Sequence, residues 1–262
     1  MLQGNTNECS LKNLFNITIS FFIKLKHHNM KSLLLFNAMY LLLSCGNNNT
    51  NATDNSVDTS LKLNTENRVM NTDTTLNFEE SAEGSLPKDW VSAVGKWAVV
   101  KEENNKVLKQ SAANSGSTFN ICVNDKLVYQ DLQLQVKLKA ASGKEDQGGG
   151  LVWRYIDKNN YYIVRSNPLE KNVVLYKVEN GKRKDLPLVG KGRTYGMDAP
   201  METAKWHTLK VIIQQNMFTV LFDGKELFKV KDDTFKEGGL IGVWTKADAQ
   251  TYFDELTVHT IK

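Results

Sequence analysis

Two arginines and four aromatic residues in the second half of the chain have side chains suited to a polar, ring-shaped ligand. Flat aromatic rings can stack on such a ligand, and long polar groups can hydrogen-bond to its hydroxyls. The same side chains also serve packing, because a β-strand commonly buries one of its two faces. The candidates are Arg154, Tyr155, Tyr162, Arg165, Tyr176 and Trp244.

The acidic residues give no obvious catalytic pair. Glycoside hydrolysis normally uses two carboxylates that flank the scissile bond. The pairs Glu145-Asp146 and Asp232-Asp233 fall at turn-like positions, where we expect solvated charges. The sequence also has no nucleophile elbow, phosphate loop or dinucleotide fingerprint. Catalytic residues therefore stay unassigned from the sequence.

Most of the candidate ligand-binding residues lie between residues 148 and 181, which read as three short antiparallel strands. The polar stretch 157–160 reverses the chain once, and Ser166-Asn167-Pro168 ends the second strand. Asn180-Gly181 then gives a strong two-residue hairpin signal. We expect this segment to form the middle of a concave sheet.

Strict alternation along these strands predicts which side chains share a face. Trp153 and Tyr155 should lie together, with Trp153 in the core, and Arg154 should point to the opposite, concave surface. In the next strand Tyr162 and Arg165 should face opposite ways. Neither face of that strand is fully apolar, which favours a site on its open side.

The rest of the body continues as short strands separated by turns. The clearest strand is 131–140, in which Leu132, Leu134 and Val136 alternate with polar residues. About a dozen such strands, without a sustained helical period, predict an all-β fold: one domain, built as an antiparallel two-sheet jelly-roll sandwich. This domain is expected to span residues 73–262.

Four groups of residues in the body resemble recurring segments of concanavalin A-like jelly rolls, which include laminin-G-like and bacterial 3-keto-disaccharide hydrolase-like domains. The resemblance covers roughly residues 74–260 and concerns fold more than function. It implies that the first and last strands are neighbours and that one sheet is concave. The segments are Phe78-Glu79 with Gly84, Pro87 and Trp90; Trp206-His207-Thr208-Leu209-Lys210-Val211; Phe222-Asp223-Gly224-Lys225; and Tyr252-Phe253-Asp254-Glu255-Leu256.

The resemblance also implies a possible structural Ca²⁺ site. Related carbohydrate-binding jelly rolls hold calcium with acids in segments equivalent to those of Glu79 and Asp254. Calcium takes six to eight oxygen ligands, so backbone carbonyls and water would complete the shell. The alternative is that both acids are surface charges or pair with nearby lysines.

The N-terminal region has the features of a targeting signal. Residues 1–29 are interpreted as an over-extended start that is not part of the fold, and residues 30–45 as a signal peptide with an apolar stretch too short to span a bilayer. Leu42-Leu43-Ser44-Cys45 resembles the lipobox of bacterial lipoproteins, which predicts acylation of Cys45 and anchoring by lipid. The alternative is an ordinary cleaved signal. Residues 46–72, rich in Asn, Thr, Ser and Asp, are predicted to be a disordered linker.

Charge and cysteine usage exclude several classes of protein. The formal net charge is +4, of which residues 1–45 carry +3, so the body is nearly neutral at +1. Without a basic run, nucleic-acid binding is not expected. Cys9, Cys45 and Cys122 are few and far apart, so they predict neither a disulfide framework nor a zinc site.

These observations favour a membrane-anchored, glycan-binding jelly-roll lipoprotein of the bacterial cell envelope, at the outer membrane or cell surface. The first alternative is a glycoside hydrolase or lyase acting on 3-keto-disaccharides. The second is a laminin-G-like protein-interaction module. Carbohydrate is the expected partner in the first two.

Overall fold

A computed structural model describes residue 70 and residues 72–261. The predictions for residues 1–29, 30–45 and nearly all of 46–72 lie outside the described part of the chain. Within that part there are strands and turns but no α-helix, and no segment could cross a bilayer as a helix. The sixteen strands are β1 (Thr74–Leu76), β2 (Trp90–Val94), β3 (Trp97–Glu102), β4 (Asn105–Gln110), β5 (Phe119–Tyr129), β6 (Leu132–Ser142), β7 (Gly149–Asp157), β8 (Asn160–Asn167), β9 (Asn172–Glu179), β10 (Lys182–Asp185), β11 (Met197–Asp198), β12 (Trp206–Gln214), β13 (Met217–Phe222), β14 (Lys225–Lys231), β15 (Gly239–Lys246) and β16 (Gln250–Thr260).

The strands form two antiparallel sheets of eight strands each. The front sheet has the order β10-β9-β8-β7-β15-β5-β2, with β11 paired to β9. The back sheet has the order β14-β13-β12-β6-β16-β4-β3, with β1 paired to β16. The predicted all-β two-sheet sandwich is therefore confirmed. The first and last strands are also neighbours, as the resemblance implied.

The main core lies between the two sheets. In β6, Leu132, Leu134 and Val136 are fully buried, while Gln133 and Lys137 on the outer face are partly exposed. This alternation is the pattern of a sheet with one dry and one wet face. The back sheet therefore follows the prediction from sequence.

The front sheet departs from simple alternation at a bulge in β7. The register with β8 is lost after Trp153, and Arg154 adopts a left-handed backbone with φ 47°. A bulge adds one residue to a strand and so changes the face of every residue beyond it. Trp153 consequently packs in the core between the sheets, whereas Tyr155 lies on the outer face of the front sheet. The prediction that these two side chains share a face was wrong.

Candidate functional site

The outer face of the front sheet is apolar, in contrast to that of the back sheet. An outer face made of hydrophobic and aromatic residues is unusual for a sandwich sheet, because the side turned away from the core normally faces water. The apolar residues of this face form a hydrophobic cluster separate from the main core, called the outer-face cluster below. It consists of Ile121, Val123, Val128, Val152, Tyr155, Tyr161, Ile163, Val174, Tyr176, Val178, Leu240 and Trp244, with Ala93 and Phe119 packed against it.

A contact across the sheet shows that this face is concave. Arg183 lies on β10 and Phe119 on β5, five positions apart in the front sheet. In a flat sheet these strands would be roughly 24 Å apart. The guanidinium carbon of Arg183 is nevertheless only 5.3 Å from the centre of the Phe119 ring. The sheet must therefore curve strongly, so that its two sides approach each other above the outer-face cluster.

Two side chains of the cluster form an aromatic floor with unused polar atoms. Trp244 and Tyr161 are fully buried, and neither the indole N–H nor the phenol hydroxyl has a hydrogen-bond partner among the described residues. Burial raises the pKa of Tyr161. The neighbouring Trp244 indole lowers the pKa of Tyr161, but by less than burial raises it. The indole N–H and the phenol oxygen nevertheless do not reach hydrogen-bonding geometry. Buried polar atoms without partners are rare, so this pair is an unusual feature of the cluster.

A polar cluster around Arg165 lies at one end of the same face. Arg165, 2% exposed, donates to Glu170 at 2.5 Å and to the Tyr176 hydroxyl at 3.2 Å. The Tyr176 hydroxyl in turn donates to that of Tyr195 at 2.9 Å. Burial opposes the charge on Arg165, but Tyr176 and Glu170 outweigh it, so the pKa of the guanidinium is raised. Arg165 is thus a fixed cation whose own contacts position the tyrosine hydroxyls.

Asp146 joins this polar end, although the sequence predicted a solvated charge. The carboxyl is buried, with the residue 4% exposed, and accepts hydrogen bonds from the Gly148 N–H at 2.6 Å and the Asn167 amide at 3.1 Å. The ammonium of Lys246 lies 3.7 Å away. Burial raises the pKa of Asp146 despite the nearby positive charges of Arg165 and Lys246. The turn is folded inward, because Asp248 accepts hydrogen bonds from the backbone of residues 144–146.

The raised pKa of Asp146 predicts a pH effect on stability. An acid whose pKa is higher in the folded than in the unfolded state stabilises the fold below its unfolded pKa, and this contribution is lost as pH rises through the folded pKa. We expect the variant Asp146→Asn, which keeps an accepting oxygen but does not ionise, to keep its stability over the pH range in which the wild type loses stability. The difference in unfolding free energy between variant and wild type, measured by denaturant titration, should therefore grow from about pH 3.8 upward and then level off. A difference that is constant with pH would contradict this.

Four of the six candidate residues lie on or beside the outer face, and two do not. Tyr155, Tyr176 and Trp244 belong to the outer-face cluster, and Arg165 lies on the same side of β8. Tyr162 points between the sheets, where it stacks on Trp153 with ring centres 5.6 Å apart and donates to Asp232 at 2.5 Å. A ligand on the outer face cannot reach Tyr162.

Arg154 lies at the end of the sandwich and not on the concave surface expected for it. Because of the bulge, its side chain runs toward the back sheet and donates to the carbonyls of Gln215 at 2.6 Å and Phe235 at 2.7 Å. It also reaches the carboxylate of Asp131 at 3.3 Å. The residue is 2% exposed. The placement predicted for Arg154 is therefore wrong, and its contacts are those of a structural link between loops.

Comparisons with protein-family models and with curated proteins gave no match. Comparison with solved structures gave many matches. A carbohydrate-binding module, CBM66 from Bacillus subtilis, superposes with a TM-score of 0.54 at 18% identity, over 66% of this chain and 96% of that one. A lichenase from a mouse hindgut metagenome superposes at 0.50 and 15% identity, over 72% of this chain and all of that one. Both likenesses concern the fold of the two-sheet sandwich. The fold is a concanavalin A-like jelly roll.

A third neighbour shows that the jelly roll also occurs as part of a larger protein. The GH43 protein BlXynB from Bacillus licheniformis superposes with a TM-score of 0.50 at 17% identity. The match covers 71% of this chain but only 39% of that one. At such identities the likeness concerns the fold.

The pair proposed for calcium lies beside the start of β4 in the back sheet. Asp254, on β16, accepts from the Asn105 amide at 2.6 Å. Glu79 accepts from the backbone N–H of Lys106 at 3.0 Å, and the Lys106 ammonium donates to the Glu79 carbonyl at 2.8 Å. Both acids therefore have protein partners, and a cation already occupies the neighbourhood of Glu79. No group of three His, Cys, Asp or Glu residues with metal-binding geometry occurs within residues 72–261.

The calcium site stays a prediction, and these contacts do not favour it. If calcium were bound here, removing it with EDTA would lower the melting temperature, because a metal that binds only the folded state stabilises that state. An unchanged melting temperature would reject the site.

Sequence reasoning missed Arg183, Phe119 and Asp146. For Arg183, the Asn180-Gly181 signal contained the missing information. A two-residue hairpin turn must be followed by a return strand, and β10 pairs Arg183 directly opposite Val178 on the outer face. Phe119 alternates with Ile121 and Val123, which indicated a shared face but not which one. Nothing local to Asp146 indicated that its turn folds inward.

Proposed function

We propose that this domain binds a glycan on the concave outer face of the front sheet and does not cleave it. The observation that carries the proposal is the outer-face cluster itself. It is an aromatic floor on the side of a sheet that normally faces water, it is curved enough for Arg183 to touch Phe119 across it, and it ends in a polar cluster.

The chemistry of the face suits a sugar. Rings such as Phe119 and Tyr195, which are not fully buried, offer apolar planes to the C–H side of a pyranose. The Tyr176 hydroxyl, which accepts from Arg165, and the Tyr195 hydroxyl, which accepts from Tyr176, offer polar groups to ring hydroxyls. A mostly apolar concave site with few well-placed polar groups is the usual form of a small-ligand site. The similar structures include a carbohydrate-binding module and a lichenase, which supports the same class of ligand.

The test is affinity electrophoresis of the purified protein through gels that contain soluble polysaccharides of different composition. Retardation by at least one polysaccharide, reversed by its free oligosaccharides, is the expected result. Unchanged mobility in all gels of a broad panel, including neutral and acidic polymers, would reject glycan binding.

Hydrolysis is the second candidate function, and one observation favours it. The buried Asp146, with its raised pKa, and the exposed Glu170 both lie beside Arg165. Two carboxyl groups with different environments can divide the roles of acid and base. Release of product from 3-keto-glucosides by wild type, and its loss in Asp146→Asn, would support this candidate. Absence of product would leave binding as the function.

We also propose that the domain is held at the bacterial cell envelope by acyl chains on Cys45. The support is the sequence of residues 30–45, which lies outside the described part of the chain. Acyl chains provide anchoring without a membrane-spanning helix. Labelled palmitate should enter wild-type protein expressed in a bacterium and should not enter Cys45→Ala, and the variant should leave the membrane fraction. Equal labelling of both proteins would reject the anchor at Cys45.

A further inference from the structure

Arg183 is a cation on the concave face without an anionic partner. Its guanidinium carbon lies 4.4 Å from the ring centre of Tyr176 and 5.3 Å from that of Phe119. No carboxylate of the described residues pairs with it, and its side chain makes no hydrogen bond to them. The side chain is half-buried, so it is neither fully solvated nor neutralised.

Two other cations near this face do have anionic partners. Arg165 pairs with Glu170 at 2.5 Å, and Lys246 lies 3.7 Å from Asp146. Asp185, two residues from Arg183 on the same strand, forms an ion pair with Arg193 at 2.7 Å. The acid nearest to Arg183 along its own strand is therefore already paired.

The geometry of Arg183 determines what it can bind. The guanidinium lies over the rings of Tyr176 and Phe119, and its N–H groups make no hydrogen bond to the described residues. Its N–H edge is a rigid fork that matches the two oxygens of a carboxylate. Because the aromatic floor limits access of water, such a pair is stronger here than on an open surface.

Two further polar atoms lie on the floor of the same face. The Trp244 indole N–H is a donor only, and the Tyr161 hydroxyl can donate or accept. Neither has a partner among the described residues, although both residues are fully buried. Tyr161 is opposite Val178 in the register, and Val178 is opposite Arg183, so the three share one row across β8, β9 and β10.

We infer that the ligand is an acidic glycan, and that Arg183 binds the carboxylate of a uronate unit in it. The inference rests on the proposed glycan-binding function and specifies its ligand class. The sugar ring would lie against Phe119, which is partly exposed beside Arg183.

The experiment compares each uronate polymer with the same polymer after chemical reduction of its carboxylates to alcohols. Polygalacturonate and alginate serve as the acidic probes, and sulfated dextran serves as an anionic probe without carboxylates. Wild-type protein should bind at least one uronate polymer about tenfold more tightly than its reduced form. This preference should shrink as salt is added, because exposed charge pairs are screened.

Variants assign the preference to Arg183. Arg183→Met should bind native and reduced polymers equally. Lys184→Met is the matched control, since Lys184 is an exposed cation on the same strand that faces the other way, and it should behave as wild type. Melting temperatures of both variants show that the fold is intact.

The outcomes separate the inference from the function on which it rests. Equal binding of native and reduced polymers by wild type, or tighter binding of sulfated dextran than of any uronate polymer, would overturn the acidic-glycan inference and leave glycan binding in place. A uronate preference that survives in Arg183→Met would overturn the role of Arg183. Failure to bind any polymer, acidic or neutral, would contradict both the inference and the function.

Discussion

Replacement of Arg154 by methionine is expected to destabilise the domain by about 3–5 kcal/mol, because removing one member of a buried, charged network leaves its partners unpaired. The guanidinium joins three loops at one end of the sandwich, through the carbonyls of Gln215 and Phe235 and the carboxylate of Asp131. Methionine fills a similar volume but donates no hydrogen bond. The two carbonyls and the carboxylate would then face an apolar side chain.

Arg193→Met is the control for this effect. Arg193 also pairs with an aspartate, Asp185, at 2.7 Å, but its side chain is 47% exposed. Exposed pairs contribute about 0–1 kcal/mol, so this variant should unfold close to wild type. Urea denaturation of the three proteins, followed by tryptophan fluorescence, measures the difference. Equal destabilisation of both variants, or a loss below about 1 kcal/mol for Arg154→Met, would contradict the structural role given to Arg154.

The second large effect is expected on ligand binding. Phe119→Ala should weaken binding of any glycan that the protein retains by about tenfold or more, as truncation of an aromatic binding residue commonly does. Phe119 packs on Trp244 with ring centres 5.5 Å apart and supports Arg183 from the opposite side of the cleft. Its removal therefore takes away an apolar plane and releases the Arg183 guanidinium.

Trp206→Ala is the matched control. Trp206 is a 38% exposed aromatic residue that stands beside Lys139 on the outer face of the back sheet, so it offers a similar surface in a different place. It should leave binding unchanged. Calorimetric titration of both variants with the same oligosaccharide compares them directly. If Trp206→Ala abolishes binding and Phe119→Ala does not, the ligand binds the back sheet.

The fold was predictable from the sequence because its signals are local and repeated. Alternation in β6 and the turns around β7, β8 and β9 each follow from a few neighbouring residues. The pairing of β1 with β16 is not local, and only the resemblance to jelly rolls implied it. Strand alternation and turn chemistry together were enough for the class of fold.

The site was less predictable, because it depends on two events that a strand pattern does not contain. One is the bulge at Arg154, which turns Arg154 toward the back sheet and brings Tyr155 to the outer face. The other is the curvature of the front sheet, which brings Arg183 to Phe119 from five strands away. Arg165, Tyr176 and Trp244, chosen by residue type as candidate ligand-binding residues, lie on the outer face or at its edge, and their role in binding stays a prediction.

The central claim, that the ligand binds the concave face of the front sheet, is tested most directly by backbone amide NMR during titration with an oligosaccharide that the protein binds. We expect changes in the amide chemical shifts of Phe119, Arg183 and Lys246, which border the outer-face cluster. The amide chemical shifts of Lys137 and Lys210 on the back sheet should not change. Shifts confined to the back sheet, around Trp206 and Tyr252, would contradict the claim.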